Sequence, residues 1–277
     1  GLNFEMAVRA VNLSDQPVAG EARLDIAGVE ALRREVKLKA GKHREFTTTQ
    51  AVLPAMSDGP VEWRAVFEGA AGRPEACGEE KVLFAHRVSP GARITPDQVL
   101  LHGEKHLAQG KKELTATHRM RFRVANDGEA LLFVAEVDDD LIGARSSGPD
   151  GHRDGVQIFL DCRPEGEMRK RFYGTKCAHL RLMPGVEGAP GVFDQPRAFQ
   201  LDFSKAVFAS QTRDGGYRVD LRIPLSALDL APGQRVVGFS VGQISCGENG
   251  KPDLQLYWSG DARNSNVTDN FGLLYLA

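Results

Sequence analysis

Apolar residues recur at every second position in short runs along this 277-residue chain, beginning with Leu2, Phe4, Met6 and Val8. A period of two puts alternate side chains on opposite faces of an extended strand, so each run can cover a core with one face only. Such runs are expected over residues 2–11, 18–26, 32–38, 46–53, 61–67 and 81–84, and again over 120–124, 131–137, 156–161, 178–182, 207–211, 217–223, 236–244 and 271–276. Turn residues punctuate them, as at Asn12-Leu13-Ser14-Asp15-Gln16-Pro17. Helical periodicity is scarce, the one good candidate being a single turn over 226–228, after Pro224. An all-β fold is the expectation.

The length suits two domains of ordinary size. Ser89-Pro90-Gly91 and Thr95-Pro96-Asp97 break the pattern between residues 86 and 97, and a boundary is expected there, with one domain over 1–87 and another over 88–277. The first half, with its short alternating strands and regular turns, reads as an immunoglobulin-like β-sandwich acting as a spacer. Trp63 alternates there with Val61, Ala65 and Phe67, which makes it a core residue rather than a sugar-stacking one.

Lysine plus arginine (35) nearly balances aspartate plus glutamate (37), so the chain has no overall field to attract nucleic acid or an acidic membrane. No apolar run approaches the roughly 18–20 residues that cross a bilayer. The chain opens already inside a strand, as a piece of a longer polypeptide or a processed mature form would. Cys77, Cys162, Cys177 and Cys246 include no C-x-x-C pair, which argues against zinc and thioredoxin-like sites. Buried free thiols are expected, with a Cys162–Cys177 bridge across adjoining strands as the alternative. There is no G-x-S-x-G elbow, H-E-x-x-H, P-loop or dinucleotide fingerprint, and no histidine stands in a recognisable catalytic setting.

Leu131 to Pro164 carries the densest chemistry. Asp138, Asp139 and Asp140 end one strand pattern, and a Gly-rich stretch leads to Asp154 and a second pattern in which Val156, Ile158 and Leu160 share one face. Carboxylates at strand ends beside loop carbonyls, as at Asp150, Gly148 and Gly151, supply the hard oxygen donors that Ca²⁺ takes. An ordinary solvated turn has the same composition.

Taken in order, Asp154-Gly155-Val156-Gln157-Ile158-Phe159-Leu160-Asp161, then Gly216-Tyr217-Arg218-Val219-Asp220-Leu221-Arg222-Ile223-Pro224, then Phe271-Gly272-Leu273-Leu274, resemble the strands of the family 9 carbohydrate-binding modules. That group of β-sandwiches is related to the DOMON superfamily, and the resemblance covers about residues 90–277. It implies a second β-sandwich in tandem with the first, and a noncatalytic module that binds polysaccharide or oligosaccharide. The module would belong to a larger secreted or periplasmic protein with neighbouring domains, such as an enzyme acting on polysaccharide. It implies structural calcium at Asp138, Asp139, Asp140 and Asp154. It also places ligand-binding groups at Gln157, Arg181, Gln243, Asn264 and Asn266, with Tyr257 or Trp258 as the stacking ring. The chain departs from the family pattern where Gly151 and His152 precede Asp154, where Gln157 replaces a common Glu, and where Asn266 stands in place of a second aromatic. A structural module that positions its neighbours and binds no free glycan is the rival expectation, and part of a glycoside hydrolase or esterase active site is the third.

Overall fold

The structure, a computed structural model, describes residues 3–51, 58–69, 72, 75–139, 142, 154–164, 166–185, 190–247 and 252–277. Its elements are strands and single turns of 3₁₀ helix. The chain divides into two compact units, Gly1–Val82 and Leu83–Ala277.

The first unit holds β1 (Asn3–Val11), β2 (Val18–Ile26), β3 (Val29–Leu38), β4 (His43–Ala51), β5 (Gly59–Gly69) and the first part of β6 (Glu75–Arg87). β1 pairs with β4, while β3, β2, β5 and β6 form a second antiparallel sheet. Leu24, Ile26, Val36, Leu38 and Val61 are buried on one face of this second sheet. Trp63 pairs with Ile26 across β5 and β2, so it shares the core-facing side of the sheet.

The second unit is a sandwich of two sheets. In one, β7 (Val99–Leu101), β9 (Arg119–Asn126), β10 (Ala130–Asp138), β15 (Gly216–Pro224) and β14 (Val207–Arg213) lie side by side. In the other, β13 (Val192–Ala198), β12 (Cys177–Met183), β11 (Gly155–Asp161) and β16 (Val236–Cys246) are consecutive. β16 continues the sheet on one stretch to β18 (Gly272–Leu276) and on another to β17 (Pro252–Tyr257), which pairs with β8 (Leu107–Gly110). A 3₁₀ turn over Leu225–Leu228 follows Pro224.

Alternation decides which side chains meet between the sheets. Val156, Ile158 and Leu160 of β11, Ala178, Leu180 and Leu182 of β12, and Val237, Phe239 and Val241 of β16 pack against Met120, Phe122, Val124, Phe133, Tyr217, Val219 and Leu221. Each large apolar side chain so buried contributes about 1.5–3 kcal/mol. β11 departs from simple amphipathicity because all seven of its residues are buried. Its second face lies under loops, and this is where the chemistry collects.

β7, β8, β13 and β17 are not among the strands expected from the sequence. β13 reads VFDQPRA, is half-exposed at a sheet edge and contains Pro196, a residue that edges tolerate and central strands do not. All four cysteines are free thiols. A Cys162–Cys177 bridge does not form: Cys162 packs in the core between the sheets, whereas Cys177 turns to the other face, where its thiol bonds Asp161. Burial pushes the Cys177 thiol up to about 11 and that of Cys246 to about 12.

Candidate functional site

Strand register sets five residues in a row across the outer face of the second sheet: Asp194 on β13, Arg181 on β12, Gln157 on β11, Gly242 on β16 and Tyr257 on β17. A Cβ at position 242 would run into the Tyr257 ring, so glycine there lets the ring lie across β16. The Tyr257 hydroxyl thereby donates to Gln157 Oε1 at 2.8 Å. Arg181 Nε donates to Asp194 Oδ2 at 3.1 Å, and its Nη2 bonds the same oxygen. The result is a guanidinium, a carboxylate, an amide and a phenol on one face, groups that can hydrogen-bond ring hydroxyls.

The neighbouring row runs Arg197, His179, Phe159, Ser240. Phe159 stacks on His179 with centroids 4.5 Å apart and planes at 22°. Burial, with the charges of Arg181 and Arg197, pushes the His179 imidazole down to about 3, so it is neutral at physiological pH. Tyr257 and Phe271 pack on the other sides of Phe159. Arg197 lies 5.3 Å over the Tyr173 ring and donates to Asn266 Oδ1 at 3.1 Å.

Of the residues singled out from sequence, Gln157, Arg181, Tyr257 and Asn266 therefore come together on this face. Gln243 and Trp258 do not. Gln243 pairs with Val156 and Leu256, both core-facing, and Trp258 packs on Phe239 within the core, only 4% exposed. Asn264 is buried beneath its loop, donating to Ser240 Oγ at 3.0 Å and to the Ser259 carbonyl at 2.8 Å. Asp261 caps the 3₁₀ turn Ala262–Ser265, and Asn264 completes the capping box by accepting from the Asp261 amide. Neither stacking ring chosen from sequence is open to a ligand, since Tyr257 is also 4% exposed.

The buried ion pair Asp161–Arg163 organises the loops above this face. Arg163 forks onto Asp161, with Nε to Oδ1 at 2.8 Å and Nη2 to Oδ2 at 2.6 Å. The same guanidinium donates to the Lys170 and Phe172 carbonyls at 3.2 and 3.3 Å and to Thr268 Oγ1 at 2.9 Å. It thus ties the stretch after β11 to the stretch before β18, where Phe172 and Val267 form a β-bridge. Tyr173, Arg197, Asp194 and the Phe172 segment were not legible as site residues, because an undetected edge strand and a non-local bridge bring them here.

The aspartates proposed as calcium ligands separate. Asp138 is taken up by two arginines, Arg119 at 2.5 Å and Arg213, whose hydrogen bonds outweigh the effect of burial and hold its carboxyl below the usual range. It is no longer a candidate ligand. Asp139 lies 3.5 Å from His118 Nε2, and Asp154 accepts the Cys246 amide at 2.5 Å; both are buried. The Tyr217 hydroxyl and Gln243 Oε1 are buried without a hydrogen-bond partner among the described residues, and burial, with the charges of Asp139 and Asp154, keeps the Tyr217 hydroxyl protonated. Asp139 and Asp154 thus remain the two buried carboxylates of the set, both near the Tyr217 hydroxyl. Asp140 and Asp150 lie outside the described residues, and no trio of His, Cys, Asp or Glu among the described residues is close enough to hold a metal.

A family model described as "Carbohydrate family 9 binding domain-like" matches residues 101–277. Two solved structures of a carbohydrate binding module family 9 from Caldicellulosiruptor kristjanssonii are similar to the chain. The one in complex with cellotriose is 20% identical, covers 71% of this chain and 93% of that one, and has a TM-score of 0.53. The one in complex with glucose is 20% identical, covers 71% of this chain and 96% of that one, and has a TM-score of 0.55. Among curated proteins none matches the chain. At this identity the likeness to the solved structures establishes the fold.

Proposed function

Because the chain belongs to the carbohydrate family 9 binding domain-like family, whose model spans residues 101–277, we propose that its second unit binds an oligosaccharide without transforming it. The observation that carries this reading is the row Asp194, Arg181, Gln157, Tyr257, which presents charged and amide hydrogen-bonding groups on one outer face. The first unit, in this reading, is an immunoglobulin-like spacer, and the parent is a secreted or periplasmic protein acting on polysaccharide, for which the module is an accessory. One observation favours a second reading, a structural module without a free ligand: the row's groups already satisfy one another, Tyr257 with Gln157 and Arg181 with Asp194.

Binding decides between them. Similar structures carry cellotriose and glucose, so these are the first probes, followed by a panel of neutral oligosaccharides. Isothermal titration is expected to show saturable binding in about the high-micromolar range. Arg181→Ala and Gln157→Ala should each weaken it about 10- to 100-fold, the equivalent of about 1.5–3 kcal/mol for a hydrogen bond to a charged group or a buried amide. No saturable binding across the panel would leave the structural reading standing.

The same reading includes a structural calcium ion held against Asp139 and Asp154, where it would fix the strand ends; Asp140, Asp150 and the Gly148 and Gly151 carbonyls are the sequence's further donors. Adding excess chelator after dialysis is then expected to lower the melting temperature of the full chain, and adding calcium back should restore it. A melting curve indifferent to both would remove the ion from the account.

A further inference from the structure

We propose that Phe172 forms an aromatic landing surface for a second sugar ring, so that the ligand is an extended oligosaccharide rather than a single pyranose. The inference rests on the glycan-binding reading above and adds a residue and a substrate class to it. Sugar recognition in water gains from laying the C–H face of a pyranose on an aromatic ring. The rings of the outer face cannot serve, since Phe159, Phe271 and Tyr257 are packed together and buried. Among the described residues the exposed aromatic rings are Phe172, at 67%, and Phe199, at 45%.

Phe172 stands at the rim of this face, where it bridges Val267 beside Asn266. Phe199 packs 6.3 Å from Tyr173, and Phe172 is the chain neighbour of that same tyrosine. Successive residues of an extended segment point to opposite sides. Tyr173 turns inward, its hydroxyl donating to the Asn264 carbonyl at 2.7 Å, which leaves Phe172 turned outward. The ring is carried on a held backbone: Phe172 bridges Val267, and its carbonyl accepts from the buried Arg163 guanidinium. A ligand meeting it therefore has little loop entropy to remove.

Arg171 lies 5.6 Å over one face of the Phe172 ring, which nonetheless stays open to solvent, and Arg197 and Asn266 join beside the bridge as hydrogen-bonding groups. The row holding Arg197 is one side-chain repeat, about 7 Å, from the row holding Arg181 and Gln157. The rim lies beyond it, so a ligand touching both must contain more than one ring.

Titration of the full chain with cellotriose and with glucose tests the assignment in wild type, Phe172→Ala, Phe172→Trp and the distant exposed control Val207→Ala. Phe172→Ala is expected to weaken cellotriose about tenfold and to leave glucose unchanged. Phe172→Trp should bind cellotriose at least as well as wild type, and Val207→Ala should match it. If Arg181→Ala weakens cellotriose while Phe172→Ala does not, the landing surface is wrong and the glycan-binding reading stands. If Phe172→Ala weakens glucose as much as cellotriose, the ring belongs to a single-sugar site and the extended ligand is overturned. If no sugar binds the wild type, both readings fall.

Discussion

Arg163→Ala should destabilise the second unit by about 3–5 kcal/mol, the cost of breaking a buried ion pair from one side. Asp161 is 0% exposed, and loss of the guanidinium would leave its carboxylate without the forked partner that compensates its burial. Three further acceptors, two carbonyls and the Thr268 hydroxyl, would lose the same donor. Urea unfolding of the full chain followed through Trp258, in a Trp63→Phe background, is expected to show the midpoint falling by roughly 1–2 M. Arg163→Lys should recover only part of this, because an ammonium cannot reproduce the fork. A paired Asp161→Leu and Arg163→Met variant should be more stable than Arg163→Ala, since it removes the stranded charge as well. An unchanged midpoint in Arg163→Ala would mean that the pair does not brace the loops.

Trp258→Ala is expected to cost about 3–5 kcal/mol, as truncation of a buried large aromatic does. The indole packs on Phe239 at 5.8 Å inside the sandwich, where neighbours close around it only in part after truncation. The melting temperature followed by circular dichroism should fall by roughly 10 °C. A variant that kept its melting temperature and lost sugar binding would return Trp258 to the binding face and contradict its placement in the core.

Both expectations depend on which face a side chain takes, and the sequence reveals that unevenly. The alternation Val156, Ile158, Leu160 identifies the inner face of β11 directly, and the same alternation continued through Val237, Phe239 and Val241 puts Gln243 inside. Position alone separates Tyr257 from Trp258, because consecutive strand residues cannot share a face; which one faces out follows from the pairing of Tyr257 with Gly242. That register is a property of two strands together, invisible in either. The Arg181–Asp194 contact was hidden for a related reason: β13 is a short, half-exposed edge strand interrupted by Pro196, so its periodicity is weak. Asp138 looked like its acidic neighbours until Arg119 and Arg213 arrived from β9 and β14.

The Arg163 guanidinium and the Phe172–Val267 bridge together join the segment carrying Phe172 to the segment carrying Thr268. Two loops fastened in this way cannot fluctuate independently: an excursion that frees one withdraws partners from the other, so they open as one cooperative unit. A glycan that settles on either segment therefore stabilises both against opening.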